Sequence, residues 1–166
     1  MKVIFLDIDG VLNSEKTCHE WHEATGKPGY GGWFKETDIC THENVLWGID
    51  LVENLKRIVD ETGAFIVISS TWRKHYDIEK FKEMFAVYQW GDVPVIDRTG
   101  VTKDRHRGKE IKSWLYDKDV SAYVIIDDDT DFLEEQLPFF VNTDFMFGLT
   151  ESDADKAIEI LNKQDA

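Results

Sequence analysis

Four stretches of the chain carry residue types suited to phosphate chemistry. Asp7 and Asp9 follow the apolar run KVIFL, Ser69, Ser70 and Thr71 follow FIVI, and Asp127, Asp128, Asp129 and Asp131 follow YVII. The fourth stretch, RHRGKEIKSWL, supplies Arg105, Arg107, Lys109 and Lys112. Clustered carboxylates repel one another unless a cation lies between them, and Mg²⁺ is the usual hard cation held by one or two carboxylates together with a substrate phosphate. A calcium loop is the competing reading. It requires Gly at its sixth position and Glu at its twelfth; counting from Asp7 gives Leu12 and Cys18, and counting from Asp127 gives Phe132 and Pro138. Both counts fail.

The elements that would position these residues alternate between strand and helix. Residues 2–6, 64–68 and 122–126 read as buried strands ending at Asp7, Ser69 and Asp127, with a shorter candidate at 139–142. Leu51, Leu55, Ile58 and Val59 repeat at helical spacing before Gly63, a natural stop. Ile78, Phe81 and Phe85 do the same after Asp77, and Ile111, Trp114 and Leu115 mark a helix opening near Gly108. A last helix, carrying Ala157, Ile158 and Leu161, follows Thr150 or Ser152. The alternation predicts an α/β fold, a doubly wound three-layer sandwich around a mainly parallel sheet, with residues 1–166 forming one domain. In such sheets the ligand crevice lies at the carboxyl ends of the strands, so three polar clusters at three such ends converge on one site.

Residues 13–47 break the pattern. They hold Gly26, Gly29, Gly31 and Gly32, three His and three Trp without a clear period, and read as a small cap or insert after the first strand. Cys18, His19, His22, Cys40 and His42 within it have the ligand chemistry for zinc, but their spacing matches no zinc signature, and packing or exposure is the preferred reading. Trp72 reads as a packed aromatic and Arg73 as a residue that grips substrate.

The order of the four stretches resembles the four motifs of haloacid dehalogenase (HAD) phosphotransferases: DIDGV at 7–11, a Ser after the second strand, a basic residue opening a helix, and an acidic pair after a later strand. The resemblance implies that Asp7 attacks phosphorus and that Asp9 protonates the leaving alcohol and then activates water. It places Mg²⁺ on the Asp7 carboxylate, the Asp9 carbonyl and an acid of the fourth motif, Asp128 first and Asp127 second. Gly10 would form the tight turn after the nucleophile. Ser69 would bind a phosphoryl oxygen, with Ser70 assisting. The third-motif cation would be Lys109, with Arg107 the alternative because its fork can hold phosphate through two bonds. A narrower likeness, in ISSTWR (68–73), RGKEIKSWL (107–115), VIIDDDTDF (124–132) and FGLTESDADKAIEIL (147–161), is to the compact HAD phosphatase modules of RNA-repair and phage proteins.

Composition narrows the function. With 19 basic and 33 acidic residues the net charge is -14, which disfavours nonspecific binding to a long nucleic acid while leaving room for one local phosphate pocket. Charge therefore favours a small nucleotide, whereas the narrower likeness favours a 3′-phosphate on a nucleic-acid end. No apolar run is long enough to span a bilayer and the first residues lack the form of a signal peptide, so a cytoplasmic location with reduced thiols is expected. No obligate protein partner is implied. A phosphoacceptor signalling domain would place its acidic pair after the first strand and a lone Asp after a middle one, where Ser69 stands here. A silent binding module would be expected to have lost at least one of Asp7, Asp9, Ser69 and Asp128.

Overall fold

The computed structural model describes residues 1–25 and 47–164. Cys40, His42, Trp33 and the four glycines of the 13–47 segment lie outside them, and with them the zinc reading.

Five strands, β1 (Lys2–Leu6), β2 (Phe65–Ile68), β3 (Val95–Arg98), β4 (Ala122–Asp127) and β5 (Phe140–Asn142), form one all-parallel sheet in the order β3-β2-β1-β4-β5. The five α-helices of the described residues are α1 (Glu15–Thr25), α2 (Ile49–Thr62), α3 (Ile78–Ala86), α4 (Arg107–Leu115) and α5 (Glu151–Lys163). Short 3-10 turns cover Thr71–Lys74 and Glu134–Phe139. The expected α/β sandwich is therefore present, with a sheet that is wholly rather than mainly parallel.

Alternation along β1 explains the layers, because successive side chains of a strand point to opposite faces. Ile4 and Leu6 join Leu55 and Ile58 of α2, Phe81 and Phe85 of α3 and Ala157 and Leu161 of α5 in the larger core. Val3 and Phe5 face the other way, onto Ile111 and Trp114 of α4, where the Phe5 and Trp114 rings meet edge to face with centroids 5.4 Å apart. Both faces of β1 are buried, as a central parallel strand requires.

Local chemistry sets the ends of the helices. Asp77 accepts from the Lys80 amide at the start of α3, Thr150 and Asp153 form a capping box on α5, and Gly63 ends α2 in the left-handed region at φ 67°. Two elements were not anticipated. β3 carries only two apolar residues and sits at an edge, so its sequence lacks the continuous run of a buried strand. α1 falls in the aromatic segment 13–47, whose glycines and polar residues hide its helical stretch.

The entry to α4 is held from outside the helix. His106, its N-cap, contributes no side-chain cap. The Asp131 carboxylate instead accepts from the Arg107 amide at 3.2 Å and its carbonyl from the Gly108 amide at 3.0 Å. An acid at a helix N-terminus also meets the positive end of the macrodipole. Buried Gln136 donates to the Gly108 carbonyl at 2.8 Å and accepts from the Leu133 amide at 3.0 Å. Gly108 permits this approach, since a Cβ there would lie 2.7 Å from the Leu133 amide nitrogen. Gly108→Ala is therefore expected to destabilise the protein by about 1–3 kcal/mol in urea unfolding. Gly91→Ala, whose Cβ would meet nothing within 4 Å, is the control, and equal midpoints for the two variants would contradict this account of α4.

Candidate active site

Parallel pairing of β1 with β4 runs in register from Lys2 and Ala122 to Leu6 and Ile126, so the chain leaves both strands at the same level. The Asp7 amide continues the ladder by donating to the Ile126 carbonyl at 3.0 Å. Asp7 and Asp127 consequently emerge side by side, both buried. Carboxylate oxygens of Asp7, Asp127 and Asp128 all lie within 4.8 Å of one another. Asn142, from β5, donates to the carbonyls of Asp127 and Asp128 at 3.2 and 3.0 Å and fixes the backbone beneath them.

Gly10 turns the chain back at φ 70°. A Cβ at this position would stand 2.5 Å from Cγ of Asp128, so a side chain would displace that carboxylate. The turn is held by Asn13 Oδ1, which accepts from the Gly10 amide at 3.0 Å, and by Thr143, whose hydroxyl donates to the Gly10 carbonyl at 2.8 Å.

Arg107 is the cation that reaches these carboxylates. Its Nη1 donates to Asp7 Oδ1 at 2.7 Å and also to Asp127 Oδ2. Lys109, the first expectation for this position, points to the surface, is half exposed and pairs with Asp104. Two residues along a helix rotate a side chain by roughly 200°. With Arg107 facing the sheet ends, Lys109 must face away.

Ser69 and Ser70 follow β2, their amides donating to the Leu6 carbonyl at 2.9 and 3.3 Å. The Ser70 side chain faces the Asp7 carboxyl and acts to lower its pKa. The Ser69 hydroxyl is buried with no hydrogen-bond partner among the described residues. A buried orphan donor is costly and calls for an acceptor.

Arg73 does not reach out to grip a ligand. It is 4% exposed, and its guanidinium donates to the carbonyls of Ser69, Ser70, Thr99 and Gly100 and to Glu110. Glu110 in turn accepts from the Thr102 amide at 2.8 Å. Glu110 lies one helical turn beyond Arg107 on α4, so this buried pair ties the Ser69–Ser70 turn to the helix that carries Arg107. A long side chain after two serines reads from sequence as a phosphate ligand. Its partner stands 37 positions away, where only the fold reveals it.

Asp9 accepts from Asn13 Nδ2 at 2.9 Å on one oxygen and from Trp72 Nε1 at 2.9 Å on the other. Asn13 and the polar edge of Trp72 were not anticipated, although both lie within the quoted motifs or directly beside them. Trp47, at the far end of the 13–47 segment, is 4% exposed and packed against Trp72, Phe85 and Tyr88, so it offers no open face for stacking a base. Trp21 lies partly buried on α1.

Electrostatics follow from burial. Desolvation pushes the Asp7 carboxyl above its ordinary value; Arg107 opposes this and Asp9 adds to it. Desolvation also raises Asp127, helped by the charge of Asp7 and opposed by Arg107. Burial likewise raises Asp128. Arg107 is pulled down by burial, but Asp7 and Asp127 more than offset this and hold it above its ordinary value. Three carboxylates that resist sharing a buried space, all offering hard oxygens, fit Mg²⁺ by donor chemistry. The orphan Ser69 hydroxyl fits an anionic oxygen beside them.

Because the folded protein holds protons on Asp7 and Asp127 more tightly than the unfolded chain, their stabilising contribution is complete below about pH 4 and is lost as pH rises through their raised folded values. In metal-free protein, wild type should therefore lose stability relative to Asp127→Asn as pH is raised from about 4 toward 8, and Mg²⁺ should stabilise wild type more strongly at the higher pH. Thermal melts with chelator and with Mg²⁺ measure both. A wild-type-to-variant difference independent of pH would contradict the reading.

The family model described as "HAD domain in Swiss Army Knife RNA repair proteins" matches residues 3–154. No curated protein and no solved structure gives a match. Among the described residues, no helix is long and apolar enough to cross a membrane.

Proposed function

The chain belongs to the family of HAD domains found in Swiss Army Knife RNA repair proteins, and from that premise we propose that it is a magnesium-dependent phosphomonoester hydrolase acting on a phosphorylated nucleic-acid end through an aspartyl phosphate on Asp7. The family supports a phosphatase-type hydrolase in general. The observation that carries the finer reading is the meeting of Asp7, Asp127 and Asp128 within 4.8 Å, with Arg107 on Asp7.

In this reading an Asp7 carboxylate oxygen bonds to phosphorus while the bond from phosphorus to the leaving oxygen breaks. The Asp9 carboxyl gives its proton to that oxygen. Asp9, now ionised, takes a proton from water as the water oxygen bonds to phosphorus; the bond to Asp7 breaks and inorganic phosphate leaves. Ser69, Ser70 and Arg107 hold the phosphoryl oxygens as charge shifts among them, the main protein contribution to phosphoryl transfer. Asp7, Asp127, Asp128 and the Asp9 carbonyl would hold Mg²⁺, which would supply neutralisation of the carboxylates and of the transferring group. Residues 13–47 act as the cap that selects substrate. The location is cytoplasmic.

A mononucleotide is the second reading, favoured by the net charge of -14, which opposes approach of a long polyanion. Phosphate release with Mg²⁺ from nucleoside 3′-phosphates and from oligonucleotides bearing 3′-phosphates separates the two, and a strong preference for sugar phosphates contradicts both. On the preferred substrate, Arg107→Ala should lose roughly 10²–10³-fold in kcat, the scale of one charge-stabilising donor. Lys109→Ala should stay within about threefold, since Lys109 faces away. The reverse order would return Lys109 to the site.

A further inference from the structure

The Trp72 indole is half-buried against the core, and packing alone would account for its ring. Packing does not account for its Nε1–H, which donates to Asp9 Oδ2 at 2.9 Å. The other oxygen, Oδ1, accepts from Asn13 Nδ2 at 2.9 Å, and Asn13 Oδ1 accepts from the Gly10 amide. Asp9 is thus gripped from two sides, by the turn that follows it and by the segment that follows β2.

The grip on Trp72 continues outward. The amide of Trp72 donates to the Ser70 hydroxyl at 3.4 Å, which ties the indole to the serine beside Asp7. Its ring meets Trp47, with centroids 6.3 Å apart. Trp47 is itself fixed by Tyr88, whose hydroxyl accepts from the Trp47 amide at 2.7 Å and donates to its carbonyl at 2.9 Å. Asn13 and Trp47 are the two ends of the 13–47 segment. Both roots of the segment read as a cap therefore bear on Asp9, one directly and one through Trp72.

We propose that Trp72 is a positioning residue for proton transfer, its indole N–H holding the Asp9 carboxyl in the orientation from which it protonates the leaving oxygen. This rests on the reading of Asp9 as general acid. A general acid contributes roughly 10²–10⁴-fold when correctly placed, and proton transfer tolerates little misalignment. Losing this anchor should cost a share of that factor, and only where the leaving group needs a proton.

Leaving-group dependence supplies the test. The ratio of kcat/KM on a nucleoside 3′-phosphate to that on 4-nitrophenyl phosphate compares an alkoxide that must be protonated with a phenolate that departs without protonation. Because kcat/KM reports steps up to transfer to Asp7, the later water step does not enter. Trp72→Phe is expected to lower this ratio roughly tenfold, in the same direction as Asp9→Asn and by less. Replacing the Trp72 indole by benzothiophene keeps the ring shape and removes only the N–H; it should give the same fall, and it serves if the Phe variant does not fold. Equal losses on both substrates, or an unchanged ratio, would overturn the proposal and leave Trp72 a packing residue. If wild type hydrolyses neither ester, or if Asp9→Asn leaves the ratio unchanged, the failure belongs to the functional reading itself.

Discussion

Two carboxylates, Asp7 and Asp127, are buried side by side, and the surrounding structure is organised around the need to neutralise them. Taking an ion out of water costs several kcal/mol even after relaxation, and a second like charge nearby adds to that. Arg107 answers both, its single Nη1 bonding to the two carboxylates together. An arginine can do so only if its backbone is fixed, which explains why α4 is pinned at its entry by Asp131 and Gln136 and one turn on by Glu110 with Arg73. The same Arg73 holds the carbonyls of Ser69 and Ser70. The charge of the site and the placement of its hydroxyls are therefore set by one connected group of buried polar residues.

Topology puts the carboxylates there. In the order β3-β2-β1-β4-β5 the chain winds outward from β1 in one direction and then returns to wind outward from β4 in the other. The connections leaving β1 and β4 diverge, and a crevice opens at this switch point. Asp7 and Asp127 are the residues at its floor, Ser69 stands at the end of the neighbouring β2, and Arg107 comes from the helix that covers the Val3 and Phe5 face. Gly10 matters in this setting because it is the position where the first loop passes closest to Asp128.

Much of this could be read from the sequence. Apolar runs ending in Asp, Ser and Asp located three of the five strands and the polar residues at their ends, because a buried parallel strand advertises itself by continuous hydrophobicity. The cation was less legible. Arg107 and Lys109 have the same charge and flank the same glycine, and only the rotation of a helix distinguishes them. Arg73 shows the opposite difficulty: its type suggested a ligand, whereas its partners are backbone carbonyls and a distant glutamate. The Trp72 contact to Asp9 spans 63 positions and no local pattern encodes it. β3 stayed hidden because an edge strand with two apolar residues resembles a loop.

In the proposed mechanism Asp7 carries the phosphoryl group. Acid-quenching the enzyme during turnover of its preferred phosphomonoester with Mg²⁺, then reducing with borohydride, converts an aspartyl phosphate to homoserine. Mass spectrometry of the resulting peptides locates it. Homoserine is expected at position 7 and at no other aspartate. Homoserine at Asp9 or Asp127, or an unmodified Asp7 in enzyme that is turning over under conditions where the intermediate accumulates, would contradict it.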